Sequence, residues 1–167
     1  MKVDDLNRTT ERFALPWDAS EWAAKPELLA WLDEEIGSLD WNNPDLVEIL
    51  KDNPAYQPRF WLTLLSYAYV QGICESEEVA ALYYKESWLR IRFPAQSVTA
   101  PMLARFRRDN RGLIKWCLVE LFKRMLREKY SLGDALLPAG LRRYLTDAAS
   151  ARIDVARDID RAAKGAL

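Results

Sequence analysis

The stretch Pro58–Gln71, PRFWLTLLSYAYVQ, decides the fold. Its strongly polar members are Arg59, Thr63, Ser66 and Gln71, so a helix here is apolar over most of its circumference and needs cover on several sides. That predicts a central helix with the rest of the chain wrapped around it. Pro58 suits the first turn, where its missing N–H is not needed, and Gly72 suits the left-handed position that ends a helix.

Working outward, the 167 residues bound the answer to one domain, or one domain with an appendage. Half the residues are hydrophobic and only 6 are glycine, which together with abundant Ala, Leu, Arg and Glu favours an all-α fold. No apolar run approaches the roughly 18 residues that span a bilayer, and the N-terminal MKVDDLNRTTER has no signal-peptide core. The expectation is a soluble, cytoplasmic protein with no membrane partner. Cys74 and Cys117 form no metal or redox spacing and read as buried, reduced thiols.

The chain has no histidine. That removes Ser-His and Cys-His nucleophile pairs, HExxH zinc sites and two-histidine iron sites. No GxGxxG, GxxxxGK[ST] or GxSxG occurs either. The remaining option, a metal site built only of Asp and Glu, competes with the ordinary role of such carboxylates as solvated helix faces. The expectation is therefore no enzymatic activity, no metal and no cofactor.

Net charge is −1, but it is unevenly placed: residues 1–50 carry 12 acidic and 4 basic side chains, whereas residues 85–129 carry 4 acidic and 12 basic ones. Such asymmetry fits a nucleic-acid surface on the basic part, or mutual neutralisation of the two parts within the fold.

In chain order, Met1–Ala19 reads as irregular, with Leu15-Pro16-Trp17 anchoring to the core, and Ser20 as the cap of a short turn. Pro26 opens a helix through PELLAWLDEEI that stops at Gly37, and Asn43-Pro44 opens a short one through Leu50. Trp17, Trp22, Trp31 and Trp41 are expected to bury against the central helix. Ser76 is the expected cap of a helix that turns Val79, Leu82 and Tyr83 inward. The alternation WLRIRF, Trp88–Phe93, suggests an extended connection pointing Arg90 and Arg92 the same way. Thr99 caps a helix with Pro101 in its first turn, Met102, Leu103 and Phe106 on one side, and Arg105, Arg107, Arg108 and Arg111 over the opposite arc. Guanidinium forks on such a face can pair bidentately with phosphate or with the O6/N7 edge of guanine. A break or kink near Asn110–Gly112 leads into a long amphipathic helix carrying Lys115. A last helix, about Leu141–Ala163, shows a thin stripe of Leu145, Ala148, Ile153, Ala156, Ile159 and Ala163 that must pack on the body or on a second copy.

From Asn53 the run NPAYQPRFWLTLLSYAYVQGICESEEVAALYY, followed by ARFRRDNR at Ala104–Arg111, resembles the N-terminal InsH-like domain of bacterial insertion-sequence transposases. The resemblance spans roughly residues 25–125 and lies at Pro54, Tyr56, Pro58, Arg59, Tyr67, Gly72, Ser76, Glu78, Arg105, Phe106, Arg107, Asn110 and Arg111. It implies a helix-turn-helix-like module that helps a DDE-type transposase hold its element's DNA ends. Two departures matter. SVTAPML stands where the family usually has a Pro-Asp-His-like turn, and nothing after Tyr130 offers the alternating strands of the family's RNase H-like catalytic sheet.

The expectation is thus a non-catalytic, transposase-like, nucleoid-associated protein that binds double-stranded DNA. Residues 1–130 form the DNA-binding domain and 131–167 a helical extension. Arg105, Arg107, Arg108 and Arg111 are the principal contacts, with Arg90, Arg92 and Lys115 supporting them. Alternatives are a helical protein-protein adaptor or homodimerising module, and the DNA-binding half of a split transposase whose catalytic subunit is separately encoded.

Overall fold

The computed structural model describes Leu15 and residues 17–39, 58–134 and 136–165. Among these residues a 3-10 turn at Ala19–Glu21 precedes seven α-helices: α1 Lys25–Gly37, α2 Pro58–Val70, α3 Ser76–Lys85, α4 Ser87–Arg92, α5 Ala100–Asp109, α6 Arg111–Tyr130 and α7 Ala139–Gly165. Among the described residues there is no strand, and the fold is all-α. The expected helix at Asn43-Pro44, Trp41, and most of the irregular N-terminal stretch lie outside them.

Every residue of α2 from Phe60 to Val70 is buried, including Thr63 and Ser66. The Thr63 hydroxyl donates to the Arg59 carbonyl at 2.7 Å, which satisfies it without leaving the helix. Around this axis pack α1, α3 and α6, while α5 leans on α3 and α7 lies along α6. Aromatic rings join the layers. Phe60 meets Tyr83 and Phe93 at 5.3 and 5.4 Å, and Trp61 stacks on Phe106 of α5 at 5.7 Å. The end of α2 closes through Ile73 N–H to the Ala68 carbonyl (2.9 Å) and Gly72 N–H to the Tyr69 carbonyl (3.1 Å), with Gly72 at φ +74°. A β-carbon there would stand 3.0 Å from the Trp17 carbonyl oxygen, so both backbone sign and space require glycine.

Several local expectations meet a different outcome. WLRIRF is not extended but helical, with the Phe93 N–H on the Leu89 carbonyl at 2.8 Å. Six residues are too few to separate a period of 2 from one of 3.6, and a strand would need a partner. Ser76 does not cap α3: Glu75 precedes the helix, and the buried Ser76 hydroxyl instead faces Asp160 at 3.4 Å. Nor does Ser20 cap; its own N–H donates to the Asp18 carboxylate at 2.9 Å. Thr99 does cap α5, accepting from the Met102 N–H at 3.4 Å, and the break falls at Asn110, between α5 and α6.

The tryptophans bury less than expected. Trp22 and Trp31 are half-buried, and Trp17 is 52% exposed. Trp17 lies over the guanidinium of Arg152 at 4.3 Å, with Phe122 on that group at 4.8 Å. Leu15 is in the core, its N–H bound to the Tyr144 hydroxyl at 2.9 Å.

Helix α7 packs on the body through Leu141, Leu145, Ala149, Arg152 and Ala156. The expected stripe is thus offset: Ala148, Ile153 and Ile159 are half-buried and Ala163 is exposed. Leu137, Leu141, Leu145, Ala149 and Ala156 belong to the same core as α2, so one core runs across residue 130. Cys74 and Cys117 are both buried and unbridged. Among the described residues no helix is long and apolar enough to cross a membrane.

Candidate nucleic-acid interface

Helix α5 divides its arginines between inside and outside. Leu103 and Phe106 bury, and Arg107, four residues after Leu103 and so only about 40° around the helix, buries with them. Its side chain is 4% exposed. Nε donates to Asp160 Oδ2 at 2.7 Å and Nη2 to Asp160 Oδ1, while Nη1 reaches the Cys74 carbonyl at 2.6 Å. The charge is held inside the fold by a bidentate pair from α7. Burial alone would pull the Arg107 pKa down, but the Asp160 hydrogen bond and the neighbouring Tyr69 hydroxyl outweigh it, and the guanidinium stays charged. Burial likewise pushes the Tyr69 hydroxyl up to about 12, so it stays protonated.

Arg105 and Arg108 point outward, their side chains 60% and 48% exposed. Among the described residues their nearest acid is Asp109 on the same helix, at 4.0 and 3.2 Å. Arg111 is exposed at the first position of α6, and Lys115, one turn later, is half-buried. Arg108 and Arg111 line one crevice together with Arg157 of α7. The structure therefore brings Arg105, Arg108 and Arg111 to one corner, the junction of α5 and α6, and withdraws Arg107 from it.

Arg90 and Arg92 sit on α4. Arg90 is exposed and donates to the Tyr84 carbonyl; Arg92, half-exposed, stands over the Phe93 ring at 5.2 Å and 3.4 Å from Asp33. The acids of α1 that competed for the basic part are thus located. Asp33 meets Arg92, while Glu34 and Glu35 meet Arg124 of α6 at 2.9 and 4.0 Å. Neutralisation within the fold is real at Arg92, Arg107 and Arg124. Among the described residues, the acids closest to Arg105 and Arg108 are local and exposed, a class of pair worth little in water.

Two residues at this corner, Arg157 and Asp160, have no place among the sequence candidates. For Asp160 a signal was available: it lies four residues after the buried Ala156, so a carboxylate in the packing stripe of α7 calls for a cation opposite it, though not for a particular one. Among the described residues no group of three or more His, Cys, Asp or Glu side chains could hold a metal ion. The arrangement offers charge and hydrogen-bond donors, the chemistry of anion recognition. No protein family, no curated protein and no solved structure matches this chain.

Proposed function

We propose that the protein is a non-catalytic DNA-binding protein related to the end-binding domain of insertion-sequence transposases, meeting duplex DNA with the helix-turn-helix-like corner of α5 and α6. One observation carries this: Arg105, Arg108 and Arg111 share an exposed corner while the α1 acids engage Arg92 and Arg124 instead. A break between two helices, with forked donors on the flanking turns, suits contact to phosphates on either side of a groove. Lys115 extends the same side of α6, and Arg90 is exposed for a peripheral contact.

The test is a mobility shift of duplex DNA at several salt concentrations with R105A/R108A/R111A. The expected result is loss of binding with helical content and melting unchanged, since all three side chains are on the surface. If each contacts a phosphate, the slope of log affinity against log salt falls by about 2.7. Binding at the wild-type slope would remove this assignment.

A second reading, a helical adaptor, draws on Ile91 and Tyr84, which are 80% and 55% exposed. It is favoured if I91D/Y84S abolishes capture of a partner such as a separately encoded catalytic subunit while duplex binding is absent in the wild type.

A further inference from the structure

The crevice between the α5–α6 corner and α7 has an unusual lining. Arg108, Arg111 and Arg157 border it, with the more deeply placed Arg107 and Asp160 beside them. Asp160 uses both carboxylate oxygens on Arg107, so its negative charge is already matched inside the fold. Three further arginines then border a common space. The other acids on them are Asp109 at Arg108 (3.2 Å) and Asp154 and Asp158 at Arg157 (3.1 and 3.3 Å), and the two partners of Arg157 are more than half exposed. Exposed pairs of this kind yield readily to a stronger, multiply charged acceptor. The first turn of α6, a helix of 20 residues, forms one wall through Arg111 and Ile114, which brings the positive end of that helix to the same place.

We infer that the open mouth of this crevice is a phosphate-binding notch, in which Arg108, Arg111 and Arg157 together hold one phosphate group and α7 contributes to the interface through Arg157. The inference rests on the DNA reading only for the source of that phosphate, a backbone phosphodiester; free inorganic phosphate would use the same donors. Arg107 and Asp160 are the support, fixing α7 against α5 so that Arg157 stands opposite Arg108 and Arg111.

The experiment uses the full chain and the variants R157Q and R111Q, with D154N/D158N and D154N/D158N/R157Q to separate loss of the guanidinium from exposure of the acids it holds. Circular dichroism confirms folding. In one arm, melting is followed with inorganic phosphate against chloride at matched ionic strength. Phosphate is expected to raise the melting temperature of the wild type and of D154N/D158N, and not of the variants lacking Arg157 or Arg111. In the other arm, duplex affinity is measured against salt, and R157Q is expected to lower the slope by about 1 for any sequence. A slope change without a response to the free ion still supports the notch, with DNA as its source. Duplex binding that falls with R105A/R108A/R111A but keeps its slope in R157Q overturns the notch and leaves the DNA reading standing. A wild type that ignores duplex DNA yet shows an Arg157-dependent phosphate response does the reverse. Neither response overturns both.

Discussion

Arg107 stands among basic neighbours in ARFRRDNR, and in sequence nothing in its chemistry separates it from Arg105 or Arg108. Its angle does, because it falls beside Leu103 on the core side of α5. Its partner is Asp160, 53 residues away, and only the packing of α7 reveals it. Removing one member of such a pair leaves the other charge in a poorly solvated site, at a cost of about 3 kcal/mol. R107L and D160L should each destabilise by roughly that amount, with the Arg107 change milder because the Asp160 side chain it leaves behind keeps 21% exposure, against 4% for Arg107. The double variant R107L/D160L should recover much of the loss, since nothing charged is stranded. Urea unfolding of the four proteins measures the coupling, and additive losses would show that the pair is not a unit.

At the scale of elements, the helices legible in the sequence were those whose ends carry their own chemistry. Pro58 and Gly72 bound α2, and Thr99 with Pro101 opens α5. Where capping was assigned from residue type alone it failed: Ser76 is drawn inward by Asp160, and Asp18, two residues before Ser20, holds the Ser20 N–H instead. The helix α4 was hidden for a different reason. It buries Leu89 alone, so it leaves too little apolar periodicity to outweigh a chance alternation. The Thr99 cap gives a direct check. T99A should lower stability by about 0.5–1 kcal/mol, at the lower end for a cap because the bond is long and exposed. S76A should not behave as a lost cap; its effect should instead diminish when Asp160 is also removed. Both are read from shifts in the urea midpoint.

For the molecule as a whole, the central position of α2 followed from its composition, because a helix without a polar face has nowhere else to go. The distribution of charge was only half legible. Counting gave an acidic beginning and a basic middle, but which acid meets which base depends on the placement of α1 beside α2 and α6, and of α7 beside α6. The basic corner is consequently smaller than the count implied, with Arg92, Arg107 and Arg124 all engaged by acids of other helices. Cohesion of the single core can be tested through its thiols. Cys117 is 1% exposed, and burial pushes its pKa up to about 12; burial also raises that of Cys74. At mildly alkaline pH both should resist alkylation in the native protein and react once denaturant opens it. Rapid labelling of either thiol without denaturant would mean that its helices separate on their own.

The bond between Asp160 and Arg107 also has a genetic reach. A stop codon arising anywhere in the stretch that encodes the first two thirds of α7 would spare all of α5 and α6, yet strand an arginine among apolar neighbours. Such an allele would be lost through protein turnover instead of surviving in shortened form, so the integrity of the basic corner is inherited with the codon for Asp160.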